Sequence, residues 1–197
     1  MQLLVPCMKC LHEFGIPNLK FMNAEICDDG IYKLTCDRGH ETITMLQNEK
    51  FEILFDMGAF ALLDGYSREA VSSFAASLER FYEFCIKIFI LCEKIDKEEF
   101  YKTWKLVSNQ SERQLGAFYF LYLNFFRRAP TQISAKQVEF RNKVIHKGYI
   151  PQYTEVKNYA ECILGYIYSV LKEIQLTCKE EIIQLTKEQL HIMLQTV

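Results

Sequence analysis

An apolar run with helical period sets the strongest constraint on this chain. Val71, Phe74, Ala75, Leu78, Phe81, Tyr82, Cys85, Ile88, Phe89 and Cys92 recur at three- and four-residue steps, spanning roughly seven turns. A stripe of that length buries one face of a long helix against other helices. Ser67 is placed to cap it, and Glu69 in the first turn favours the helix dipole. A second helical stretch runs from Ser111 to Arg128 and is stopped by Pro130. The third opens on Ser134-Ala135-Lys136-Gln137, a capping-box pattern, and ends around Gly148 and Pro151. Thr154 caps a fourth, whose face carries Val156, Ala160, Ile163, Leu164, Ile167, Leu171 and Ile174, and a short last helix occupies Lys187 to Leu194. The expectation is a mainly α fold, a bundle of four to five helices. The aromatic stripe Phe118, Tyr119, Phe120, Tyr122, Phe125 and Phe126 reads as core or dimer surface, because aromatics at helical period bury against neighbouring helices.

Composition narrows the class. Half of the 197 residues are hydrophobic, far too many for a disordered chain. With 23 basic against 25 acidic residues the net charge is −2, which excludes a generally basic nucleic-acid coat. The longest apolar stretch, Ala117 to Phe126, contains Asn124 and ends at Arg127-Arg128, well short of the ~18 residues of a membrane span. The opening MQLLVPCMKC has no basic segment followed by an apolar core. A soluble, cytoplasmic protein is expected, without a membrane partner.

The cysteines fall into two groups. Cys85, Cys92, Cys162 and Cys178 sit within apolar helical patterns, where a reduced thiol behaves as a small buried hydrophobe. Cys7-Met8-Lys9-Cys10 is instead a C-x2-C knuckle, and Cys36-Asp37-Arg38-Gly39-His40 supplies a second pair after 25 intervening residues. Two tight turns, each presenting two ligands, suit tetrahedral zinc, so Cys7, Cys10, Cys36 and His40 form the expected metal site. Cys27 and His12 compete for the fourth place. With Asp28 to Ile31 as a hairpin turn between strands Phe21–Cys27 and Tyr32–Cys36, Cys27 pairs near Tyr32. That sets it ~13 Å from Cys36 at ~3.3 Å per residue. Four protein ligands leave no open position, so the zinc is structural and no catalytic metal is expected. The segment resembles a small zinc ribbon, and the chain divides into a ribbon-like segment, 1–46, and a helical domain, 47–197.

Chemistry concentrates in Phe140-Arg141-Asn142-Lys143-Val144-Ile145-His146-Lys147-Gly148. Asn142 and His146 stand at i and i+4 and share a helix face. Arg141 lies about 140° round from His146, within reach for a long side chain. Between residues 134 and 158, Lys136, Arg141, Lys143, Lys147 and Lys157 face only Glu139 and Glu155, a local charge of +3. Histidine beside arginine suits RNA cleavage by internal transesterification: the imidazole moves the 2′-OH proton while the guanidinium steadies the phosphorane. Asn142 would hold the histidine tautomer or a phosphate oxygen, and Lys143 and Lys147 would contact RNA. Glu79, on the long helix, is placed either to orient a basic residue or to remain a surface carboxylate.

Arg141-Asn142-x3-His146 resembles the R-x4-6-H motif of HEPN-domain proteins, including the polar residue that commonly follows the arginine. Ala59 to Ala70, followed by Ser77-Leu78-Glu79, resembles the long N-terminal helices of that superfamily. The resemblance covers roughly residues 55–178 and implies a helical bundle that dimerises so that two motifs face each other across a composite cleft. It further implies a metal-independent ribonuclease of toxin or phage-defence type, with RNA as substrate and an antitoxin or regulatory protein as a further partner. A subgroup carries a tyrosine two residues after the histidine; here that position is Gly148, with Tyr149 one step on, which sets this chain apart from that form of control. The competing expectations are an HEPN-like module that binds RNA or nucleotide without turnover, and a purely structural partner protein.

Overall fold

The structure is a computed structural model describing residues 2–16 and 18–196; Met1, Pro17 and Val197 lie outside the described residues. The chain divides into two compact units, Met1–Asn48 with Thr186–Val197, and Glu49–Leu185.

The first unit is built from short strands around sulfur. β1 (Gln2–Val5) pairs antiparallel with β2 (Met22–Glu25), and β3 (Ile31–Thr35) with β4 (Glu41–Met45). Helix α1 (Met8–Phe14) lies between β1 and β2 and stops at Gly15, whose φ of 70° is the left-handed region that ends helices. The core is Val5, Cys7, Cys10, Met22 and Cys36, flanked by Leu3 and Leu34. The expected pairing of 21–27 with 32–36 does not form. The turn does, with the Gly30 amide donating to the Cys27 carbonyl at 3.3 Å, but its two arms pair elsewhere. The Cys36–His40 knuckle is itself the tight turn joining β3 to β4, so β3 takes β4, while β2 takes the strand that leads into the first knuckle.

Seven helices contribute to the second unit. They are α2 (Lys50–Leu63), α3 (Ser67–Cys92), α4 (Lys97–Val107), α5 (Ser111–Phe126), α6 (Ala135–Lys147), α7 (Tyr153–Thr177) and the start of α8 (Lys179–Gln195). The long apolar run is α3, and it is the hub, packing on α2, α5, α6 and α7. Phe74, Phe81, Ile88 and Phe89 of α3 bury with Phe118 and Tyr122 of α5 and Ile163 and Ile174 of α7. The aromatic stripe of α5 is accordingly mostly core, with Phe120 left exposed.

The helices outnumber the four to five expected, for identifiable reasons. α2 is apolar on nearly every side, so no single stripe marks its start. α4 has no fully buried residue and packs on the core through the half-buried Phe100 and Trp104; Asp96 caps it by accepting the amides of Glu98 and Glu99. α8 begins at Lys179, eight residues before the expected Lys187. Three caps also differ. Ser67 is the first residue of α3 rather than its cap, which is Tyr66, and no side-chain cap bond forms there. The Ser134 side chain makes no cap bond. α7 starts one residue before Thr154 and is closed by Gln152, whose amide donates to Glu155 at 2.8 Å.

Candidate functional site

In the first unit the knuckles bring four ligand side chains together. Cys7 stands at the N-cap of α1 and Cys10 three residues on, so both sulfurs leave the same turn. Cys36 and His40 close the β3–β4 turn, where the Cys36 amide donates to the His40 carbonyl at 3.1 Å and the Gly39 amide to the Cys36 carbonyl at 2.9 Å. Gly39 adopts φ 81°, which lets the knuckle curl back. The four ligand atoms lie within 4.8 Å of one another. Cys10 Sγ stands 3.8 Å from Cys36 Sγ and 3.3 Å from His40 Nδ1, and Cys7 Sγ stands 3.7 Å from that same nitrogen. A tetrahedral ion with ~2.3 Å arms to sulfur and ~2.0 Å to nitrogen needs edges of ~3.8 and ~3.6 Å, so the cluster has the size of a coordination shell.

The surroundings complete that shell. His40 Nε2 lies 3.1 Å from Glu13 Oε2, the carboxylate contact that orients a metal-binding imidazole and leaves Nδ1 for the ion. Asn18 sits beside Cys10 and donates to Asp37 at 2.6 Å. Burial, and then the neighbouring Cys7 and Cys36 sulfurs, push the Cys10 thiol up to about 11. Burial also acts to raise Cys36, but backbone N–H groups of His40 and Arg38 directed at its sulfur outweigh that and hold it below the ordinary thiol range. This buried Cys3His cluster can bind a structural metal. Cys27 is outside it, exposed, with its thiol donating to Asp29 at 2.9 Å. His12 is outside it as well.

In the second unit a cleft of about 440 Å³ opens between α3, α5, α6 and α7. Glu79, Glu112, Arg141, Asn142 and His146 line its polar side, and Leu115, Ile133 and Val138 its apolar side. Helical geometry carries Asn142 and His146 to one face, and the length of Arg141 brings it to the same space. Its guanidinium donates to Glu79 Oε1 at 2.8 Å and to Asn142 Oδ1 at 3.0 Å. Glu79 thus faces the cleft and holds a cation, rather than lying free on the surface. His146 is exposed on the last turn of α6, with no hydrogen-bond partner among the described residues. Behind it Gly148, at φ 69°, ends the helix. Tyr159 closes the floor; burial lifts its hydroxyl well above the usual range, and the nearby Arg141 charge only partly offsets this.

The two lysines stand apart from the cleft lining. Lys143 rests its ammonium 3.7 Å above the Tyr149 ring, and Lys147 is exposed at the end of α6. Glu13 and Glu112 carried no signal in the sequence, since each gains its position only through the fold. Among known proteins, no family model, no curated protein and no solved structure matches the chain.

Proposed function

We propose that the cleft of the helical unit cleaves RNA by 2′-OH attack without a catalytic metal, in the manner of a toxin or phage-defence endoribonuclease. The observation that carries this reading is the meeting of Arg141, Asn142 and His146 in one open cleft, with the imidazole unpartnered and accessible. His146 takes the ribose proton, or returns one to the leaving 5′ oxygen. The Arg141 guanidinium, fixed by Glu79 and Asn142, stabilises the added charge on the phosphorane through paired N–H bonds. By the HEPN resemblance, a second copy of the chain would place its own motif opposite, making the working site a shared one. The Cys3His cluster of the first unit would hold zinc as a folding element, because four protein ligands close the ion's coordination.

Labelled RNA incubated with the protein in EDTA tests the reading. Wild type yields fragments ending in a cyclic phosphate, and His146→Ala loses at least roughly 100-fold in rate, the usual contribution of a general acid–base group. Intact RNA with wild type, or equal cutting by both proteins, would remove the nuclease assignment. One observation favours a second reading, a binding module without turnover: Glu79 already neutralises Arg141 and Glu112 adds a further carboxylate to the cleft. That reading predicts RNA retention, weakened by Arg141→Ala, with no cut ends.

A further inference from the structure

Away from the cleft and the ribbon, three ligating side chains converge where α3 ends and α8 begins. Cys92 is the last residue of α3, Cys178 joins α7 to α8, and Glu181 lies in the first turn of α8. Their sulfur and oxygen atoms all lie within 4.8 Å of one another, although 85 residues separate the two cysteines. We propose that Cys92, Cys178 and Glu181 form a second metal site, for a thiophilic divalent ion of the zinc and cadmium class, with a fourth position open to water or an incoming ligand.

The backbone fixes the key donor. Cys178 is fully buried, its amide donates to the Ile174 carbonyl at 2.7 Å, and its carbonyl accepts the Ile182 amide at 3.1 Å. It is therefore held between two helices with its thiol directed at Cys92. Glu181 follows at i+3, the spacing that puts a carboxylate on the same face as the sulfur. Arms of ~2.3 Å to sulfur and ~2.1 Å to oxygen give ligand separations of ~3.6 to 3.8 Å, so side-chain rotation over a few tenths of an ångström to about 1 Å closes the shell. A divalent ion would take the place of both thiol protons and balance the Glu181 carboxylate. Two sulfurs and one oxygen form a three-ligand set of the kind that leaves a position free, unlike the closed Cys3His cluster of the ribbon.

Full-length protein stripped by chelator and titrated with Co2+ under reducing conditions tests the site, with thiolate charge-transfer absorption as the readout. The expected wild-type stoichiometry is about two ions per chain, one for each ligand set of the kind that binds such metals. Cys92→Ser should lose about one equivalent, whatever the total, and that difference separates this site from the ribbon. Glu181→Gln should retain the sulfur band while weakening the second event at least about tenfold, as loss of a charged ligand does. Because Cys92 borders the core, Glu181→Gln decides the matter if Cys92→Ser fails to fold. Wild-type binding in a folded Cys92→Ser protein, or an unchanged titration in Glu181→Gln, would overturn the site. So would a Cys92–Cys178 disulfide found by thiol counting in protein prepared without reductant.

Discussion

Arg141 makes two bonds at once, and their difference matters for what the cleft can do. The bond to Asn142 joins neighbours on one helix, whereas the bond to Glu79 reaches across to α3. Both side chains of the Glu79 pair keep a quarter to a third of their surface exposed, so solvent screening limits its stabilising effect to roughly 0–1 kcal/mol. Its larger consequence is orientation, because a guanidinium free to swing loses the alignment that transition-state stabilisation needs. If the cleft cleaves RNA as proposed, Glu79→Ala should lower its kcat by about tenfold. Glu79→Gln, which keeps the accepting oxygen, should restore most of it. Single-turnover rates beside melting curves check this: a fall in kcat matched by an equal fall for Gln, or by a collapse in thermal stability, would make Glu79 a structural residue. The Arg141, Asn142 and His146 grouping was legible because it depends on spacing within one helix. The place of Glu79 across the cleft was legible only as one of two options. Glu13 beside His40, and Cys178 beside Cys92, were hidden because offsets of 27 and 86 positions are closed only by the fold.

Element packing turns on how closely α2 approaches α3. A Cβ built at Gly58 would stand 2.7 Å from the Phe74 ring, and Phe74 is itself buried, so the ring has little room to yield. Gly58→Ala should cost about 1–3 kcal/mol, the usual penalty of overpacking. Gly116 in α5 and Gly165 in α7 have nothing within 4 Å of such a Cβ. Alanine there should stabilise by roughly 0.5–1 kcal/mol through helix propensity. Urea midpoints of the three variants check the opposite signs; a loss at Gly116 equal to that at Gly58 would mean that the close approach is not the cause. Helical periodicity and turn residues placed α3, α5, α6 and α7 from sequence, but the caps were less legible. Serine and threonine look like caps by propensity, yet Glu155 closes α7, because it accepts both the Gln152 amide and the Tyr149 hydroxyl. The Gln152 amide is the larger of the causes that hold the Glu155 carboxyl below the ordinary glutamate value, followed by burial acting the other way and then the Tyr149 hydroxyl. A depressed folded value means that its contribution to stability is complete above about pH 4.5 and is lost as pH falls through the folded value. Wild type should thus lose more stability between neutral and acid pH than Glu155→Gln. Parallel pH–stability curves for the two proteins would remove Glu155 from the account.

At the scale of the whole molecule the two units hold themselves together by different means. The helical unit carries a large aromatic and aliphatic core centred on α3, enough apolar burial to fold without help. The first unit has a core of five buried residues, three of them cysteines of the metal cluster, and two separate two-stranded sheets. Pairs of strands with so little apolar cover are marginal in water, and a metal bound at the Cys3His cluster would supply what the core lacks. Sequence spacing showed the ligand set, since each knuckle is local, but not that residues 186–196 join this unit; Met193, which lies against Gly30, gives no such signal on an otherwise ordinary helix. Removing the metal at neutral pH should therefore act unevenly. Amide exchange should accelerate at Cys36 and Gly39, whose hydrogen bonds shape the knuckle, and along β3 and β4. The central turns of α3, around Phe81 and Ile88, and the middle of α7 should keep their protection, and the far-UV helical signal should change little. Restoring Zn2+ should return the knuckle amides to slow exchange. Unchanged exchange at Cys36 and Gly39 after chelation would show that the cluster folds without an ion. Simultaneous loss of protection in α3 would show that one cooperative transition links the ribbon to the helices, leaving the metal to stabilise the entire chain.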